Sequence, residues 1–453
     1  MDNDTICALA TAAGGAIGII RVSGKEAIAI TDRIFRPAGI KFLSEAAANT
    51  VHYGEIIDQN KLVVDDVLVS VFRAPHSYTG EDSTEISCHG SRYVLGQVLK
   101  LLIDNGCRQA GPGEYTRRAY LNGKMDLSQA EAVADLVAAT NRASHHLAIS
   151  QLKGHFSSEL GKLREQLLKM TSLVELELDF SDHEDLEFAD RSQLKQLAQT
   201  IDEKITRLAR SFETGNALKN GIPVAIVGKT NVGKSTLLNQ LLHEDKAIVS
   251  DIDGTTRDAI EDITEIHGLT FRFIDTAGLR KTDDQVEILG IELTYKKIEE
   301  AAIVLWIVDC QPSDREIEDI LSRTKGKSLI LVRNKIDKDS SSVKVPPTIP
   351  VVLLSAKTGT HIQDLEEKLY VAADIPEINE NTVIVTSARH YNALMAGKES
   401  IERVLQGLKD NLSGDLLSED LRICLNQLGE ITGGQITPTE VLNNIFKHFC
   451  IGK

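Results

Sequence analysis

The sequence predicts a multidomain protein: an α+β segment over residues 1–119, a helical region split between 120–214 and 381–453, and an inserted α/β segment at 215–380. Three observations lead there. Strand-like runs dominate at first, and from Leu127 the apolar spacing changes to intervals of three and four. Near Gly221 it changes again, to short runs apolar on both faces, the pattern of strands covered by helices on each side. Helical spacing returns after about Asn381, so the two helical stretches read as one discontinuous domain.

Taken in order, Ala16 to Val22, Val63 to Phe72 and Thr84 to Cys88 read as strands, and Tyr93 to Ile103 as a helix. Leu152, Phe156, Leu160, Leu163, Leu167, Met170 and Val174 fall on one helical stripe, which requires a packing partner. Five runs then read as strands of a parallel sheet: Val224 to Val227, Phe271 to Ile274, Ala301 to Val308, Ser328 to Val332 and Val351 to Leu354. Ile401-Val404-Leu405-Leu408 and Leu417-Leu421-Leu425-Leu428 read as apolar faces of later helices.

Composition is ordinary for a globular protein, with 42% hydrophobic and 26% charged residues. The net charge of -16 argues against indiscriminate coating of nucleic acid, which needs clustered cations. Between Asp126 and Asp190, 13 acidic side chains face 5 basic ones, read as a solvated helix face and an acidic loop from Asp179 to Glu187. No apolar run is long enough to span a bilayer, and the acidic first residues are unlike a signal peptide, so a cytoplasmic location is expected. The six cysteines lie too far apart for a zinc or redox pair; five read as buried thiols, and Cys450 stands out by its place in Cys450-Ile451-Gly452-Lys453.

Gly228-Lys229-Thr230-Asn231-Val232-Gly233-Lys234-Ser235 lies between a strand and a helix, the context in which backbone N–H groups and a helix N-terminus cradle phosphates. Asn231, Val232, Gly233, Lys234, Ser235 and Thr236 are the expected phosphate contacts, with Lys234 on the β- and γ-phosphates and Ser235 on Mg²⁺. Asn334-Lys335-Ile336-Asp337 names the base, because the Asp337 carboxylate accepts from the two donors that guanine offers and adenine lacks. Ser355-Ala356-Lys357 would complete the base site. Asp275, Thr276, Ala277 and Gly278 read as the segment that senses Mg²⁺ and the γ-phosphate. Thr255 and Thr256, within Ser250-Asp251-Ile252-Asp253-Gly254-Thr255-Thr256, are the candidates for a switch threonine, with Thr256 assigned to Mg²⁺. Together these segments imply a Ras-like P-loop domain that binds GTP. Leu279 follows Gly278 and cannot orient an attacking water, so another group must do so.

The run from Asp275 through Asp283-Asp284-Gln285-Val286-Glu287 to Gly290-Ile291-Glu292 resembles the second switch of the potassium-activated tRNA-modification GTPases, the MnmE/TrmE family. The resemblance implies that Glu287 orients the nucleophile through water, although alone it reads as a solvated helix-face glutamate. It implies that K⁺ replaces an arginine finger, held by Asn231, Ser250, Ile252 and Thr255, where Ser250 stands at a position some members fill with threonine. It extends to Gly18-Ile19-Ile20-Arg21-Val22-Ser23-Gly24, Tyr78-Thr79-Gly80-Glu81-Asp82, Gly111-Pro112-Gly113-Glu114-Tyr115-Thr116 and Leu121 to Leu127. These look like the family's folate-binding N-terminal domain, in which Arg21, Glu85, Lys124 and Lys453 would contact 5-formyl- or methylene-tetrahydrofolate. Without the resemblance, Arg21 and Lys124 read as surface cations and Glu85 as a strand-edge charge. Cys450-Ile451-Gly452-Lys453 matches the family's terminal Cys-x-Gly-Lys, and docking of the apolar run Ile445-Phe446-Lys447-His448-Phe449 would bring the Cys450 thiol near bound folate, as a nucleophile or as part of the pocket.

What the resemblance implies is a GTP hydrolase that works as a homodimer with a flavin-dependent partner protein, in a heterotetramer. It would install a carboxymethylaminomethyl-type group on carbon five of the wobble uridine of tRNA, using a tetrahydrofolate one-carbon unit. The partner would supply much of the tRNA contact, with Arg117, Arg118 and Lys124 as a local basic patch. Two other readings stay open: a ribosome-assembly GTPase, and a GTP-dependent switch or scaffold without tRNA chemistry. No membrane partner is expected.

Overall fold

A computed structural model describes residues 4–179, 191–242, 262–274, 298–375, 382–434, 439–447 and 449–452. The chain forms two compact units, Met1–Val137 with Gln151–Asp202 and Ala396–Lys453, and Ala138–Ser150 with Glu203–Met395.

In the first unit, β1 (Ile6–Leu9), β2 (Ile17–Ser23), β3 (Phe35–Pro37), β4 (Thr50–Ile57), β5 (Val63–Phe72), β6 (Ser83–His89) and β7 (Arg108–Gln109) form a sheet in the order β3-β4-β5-β6-β2-β1-β7. The pairing is antiparallel except between β1 and β7. Alternation in β5 turns Val67, Val69 and Val71 into the core and leaves Leu68 exposed. The helices Ala27–Ile34 and Arg92–Asp104 cover that face with Ile30, Ile34, Leu95, Val98 and Leu102. Burying each such side chain stabilises by roughly 1.5–3 kcal/mol.

Strand β4 escapes a sequence reading for a physical reason. Its alternate residues Thr50, His52, Gly54 and Ile56 face inward while Val51 and Tyr53 are exposed, so the hydrophobic pattern is inverted over half its length. The same unit holds the helix His155–Asp179, which buries Phe156, Leu160, Leu163, Leu167, Met170 and Val174. The helix Gly414–Thr432 packs along it with Leu417, Leu421 and Leu428. Cys424, rather than Leu425, takes the remaining buried position of that stripe. Leu152 belongs to a different helix, Arg142–Leu152, separated from the stripe by a turn at Lys153 and Gly154.

In the second unit, β8 (Ile222–Val227), β9 (Asp262–Ile266), β10 (Leu269–Phe273), β11 (Ile303–Val308), β12 (Ser328–Arg333) and β13 (Val351–Leu353) form a sheet in the order β13-β12-β11-β8-β10-β9. All neighbours are parallel except β9 against β10. One face packs Leu237, Leu238 and Leu241 with Leu365 and Leu369; the other packs Ile317 and Ile320. Both faces are therefore dry, which is why β11 reads as an uninterrupted apolar run. Ala143 and Leu147, expected with the helical region, share the first of these cores with Leu218 and Ile222.

Candidate nucleotide site

Parallel pairing brings the carboxyl ends of β8, β11, β12 and β13 to one edge of the sheet, the usual place for a ligand in an open α/β fold. The phosphate loop leaves β8 and ends in the helix Lys234–Leu241. Two of its glycines are required by space and conformation. A Cβ on Gly228 (φ 153) would strike the Ile307 carbonyl, and one on Gly233 (φ 97) would strike Asn334 Nδ2. The Lys234 amine folds over the loop, donating to the carbonyls of Gly228 (2.8 Å) and Lys229 (2.7 Å).

Asn334 joins three loops. Its Nδ2 donates to the Val232 carbonyl at 2.8 Å, and its Oδ1 accepts from the N–H groups of Lys335 (2.8 Å) and Ala356 (2.9 Å). The side chain is buried, where each unmade bond would be costly. Lys335, held at φ 67, reaches back to the Asn231 carbonyl at 2.6 Å and to Asp309 Oδ2 at 2.8 Å. Asp337 stays exposed, with Oδ1 accepting from Ser355 Oγ at 2.6 Å. That hydrogen bond holds its carboxyl below the usual range, so the group is an ionised acceptor at neutral pH.

Sequence reasoning missed the residues that brace this site. Asp309, at the end of β11, pairs with Lys335. Glu316 pairs with Lys229 at 2.6 Å while closing a capping box with Ser313 at the helix Asp314–Arg323. The Lys229 bond and then the Ser313 N–H and hydroxyl bring Glu316 down to about 2. The capping box was the one signal legible in advance, as Ser-x-x-Glu before an apolar face. Ser250 to Thr256, Asp275 to Gly278, Leu279, Glu287, most of the acidic loop from Asp179 to Glu187, and Lys453 lie outside the described residues.

The first unit gathers a second cluster. Register pairs Arg21 of β2 with Glu85 of β6, and Arg21 Nε donates to Glu85 Oε1 at 2.8 Å. Arg21 Nη1 donates to the Gly452 carbonyl at 3.3 Å, and its guanidinium lies 5.5 Å and 5.6 Å from the ring centres of Tyr78 and Tyr115. Lys124 Nζ donates to the Pro75 carbonyl at 2.8 Å, at the start of the loop that carries Tyr78. Ile451 bridges Pro112, and the Cys450 carbonyl accepts from the Gly113 N–H at 3.3 Å, leaving Cys450 exposed. Nothing in the sequence singled out Tyr78 and Tyr115 as partners of Arg21.

Two expectations change. Arg118 is not part of a basic patch: it is buried against Asp4 (2.7 Å), Glu114 (3.0 Å) and Glu81 (3.2 Å). Cys310 is exposed, whereas a buried thiol was expected, because it lies beyond the last residue of β11.

The chain resembles known proteins along its length. A family model described as "GTP-binding protein TrmE N-terminus" matches residues 5–124, and one described as "MnmE helical domain" matches residues 127–450. A tRNA modification GTPase MnmE of Bacteroides fragilis is 57% identical over 468 residues, covering 100% of each chain. Relatives of the same name in Parabacteroides distasonis and Flavobacterium johnsoniae are 54% and 49% identical, covering 99% and 100% of this chain and 100% of each relative. Among solved structures, the G domain of the T. maritima FeoB iron transporter is 26% identical, covers 34% of this chain and 99% of that one, and has a TM-score of 0.25. With one model spanning more than half of its residues and relatives matching it from end to end, this chain belongs to the MnmE/TrmE family.

Proposed function

We propose that the protein is a GTP hydrolase that takes part in tRNA modification. The observation that carries the nucleotide reading is Asn334, which ties the phosphate loop, the base loop and the Ser355-Ala356-Lys357 loop into one unit. Around it, each group has work to do. Backbone N–H groups at the helix N-terminus face the phosphates, the Lys234 amine turns from its loop carbonyls to the β- and γ-phosphates, and Asp337 accepts from guanine. Ser235, in the first turn of the helix, offers the hard oxygen that Mg²⁺ prefers, with Thr256 as the second protein ligand. Mg²⁺, when bound, offsets negative charge between the phosphates.

The finer reading follows the family resemblance. Glu287 would orient the attacking water in place of a side chain at Leu279, and Asn231, Ser250, Ile252 and Thr255 would hold K⁺, which would supply the positive charge that other GTPases take from an arginine. Arg21, Glu85 and Lys124, with Lys453, take a reduced folate. This reading is supported by the convergence of Arg21, Glu85, Tyr78 and Tyr115, since a cation, a carboxylate and aromatic faces suit a pterin with an anionic tail. A homodimer acting with a flavin-dependent partner would then modify carbon five of the wobble uridine in the cytoplasm. Mass analysis of tRNA nucleosides from cells lacking the protein is the test. Loss of the wobble modification is expected, and an intact nucleoside would overturn the tRNA role.

A further inference from the structure

We infer that Arg333 is a positioning residue for guanine discrimination, clamping both ends of the loop that carries Asp337. The inference rests on the guanine-nucleotide reading above. Arg333 ends β12, and its side chain is only 1% exposed, a rare burial for a guanidinium. Nη1 donates to the Asn334 carbonyl at 3.0 Å, and Nη2 donates to Asp339 Oδ2 at 2.9 Å. Asp337 lies between these two anchors.

The loop is also closed from within. The N–H groups of Lys338 and Asp339 both donate to the Lys335 carbonyl, at 2.9 Å and 3.2 Å. The Asp339 carboxylate accepts from the Ser341 N–H (3.0 Å) and hydroxyl (2.8 Å), so its position is set independently of Arg333. One planar fork thus fixes where the chain leaves the strand and where the loop returns. Among the described residues Arg333 Nε is buried with no hydrogen-bond partner, so the position retains a polar group that a simple core position would not favour. What the fork provides is direction: two donors at a fixed angle, aimed at two points that bracket Asp337. Because Asn334 is the first anchor, the clamp also acts where the base loop meets the phosphate loop.

The test compares GDP with inosine diphosphate, which lacks the exocyclic amine that Asp337 would accept from. Calorimetric titration of the full-length protein is run for the unmodified chain, Arg333→Met, Asp339→Asn and the double variant. The unmodified protein is expected to prefer GDP by about tenfold or more, the worth of a hydrogen bond to a charged group. Both single variants should bring that ratio severalfold closer to one, and the double variant should add little, as expected for partners in one interaction. Asp339 is largely exposed, so Asp339→Asn probes the clamp without emptying a buried site. A ratio that stays unchanged, even if both affinities fall equally, would assign Arg333 to stability alone and overturn the proposal. Absence of any GDP preference in the unmodified protein would instead overturn the guanine reading, and the proposal with it.

Discussion

At the scale of single residues, buried polar side chains brace the loops of the nucleotide site. Asn334 spends both ends of its amide on other loops. Asn334→Ala should therefore weaken nucleotide binding by about 2–3 kcal/mol, the cost of orphaned buried partners, while the strands around it stay folded. A titration with GDP checks this, and unchanged affinity would refute the bracing role. Glu287→Ala should keep GTP affinity and lose most single-turnover hydrolysis; a variant with normal turnover would remove Glu287 from the mechanism. These residue types were legible as motifs. Which partner each one meets was not, because Lys335 and Asp309, or Arg21 and Glu85, are far apart in sequence and adjacent only across strands.

At the scale of elements, periodicity was a good guide wherever one face is buried. The helix His155–Asp179 carries its stripe without interruption, so Leu167→Ala, at a fully buried position, should cost about 2–5 kcal/mol and lower the melting temperature. Calorimetry decides it, and an unshifted transition would mean that this stripe is not a packed face. Electrostatics binds the start of β1 to the helix Glu114–Leu121. Burial alone would raise Glu114, but bonds from Arg108, the Gly111 N–H and Arg118 outweigh it and leave its carboxyl lowered. Asp4 is lowered likewise, burial being overcome by Arg108 and Arg118. Groups lowered on folding stabilise fully above the ordinary carboxylate range near pH ~4, and the contribution is lost as pH falls through their folded values. Acid titration should show the first unit losing stability in that window, and Arg118→Met should reduce this acid-dependent part while Arg108 sustains the rest. Alternation failed for β4, where tertiary placement put Thr50 and His52 inward and Val51 and Tyr53 outward.

At the scale of the whole molecule, the family assignment joins a sheet-and-helix unit bearing Arg21 and Glu85 to a parallel-sheet unit bearing the nucleotide loops. If potassium completes the nucleotide site, single-turnover GTP hydrolysis should be at least tenfold faster in K⁺ than in Na⁺, an effect of about 1.4 kcal/mol or more on the barrier. Equal slow rates in the two salts would sink that mechanism. By itself the sequence determined the guanine motifs, the parallel character of the second sheet, and the stripes of the long helices. All of these are legible locally, because a motif, an apolar run and a helical spacing are each written in contiguous residues. Only the tertiary structure decided that Arg118 is a buried ionic brace, that Ala143 and Leu147 serve the nucleotide unit's core, and that Arg333 grips both ends of the base loop. A polar side chain carries no mark of its partner in the sequence; its role follows from which donors and acceptors folding brings within about 3 Å.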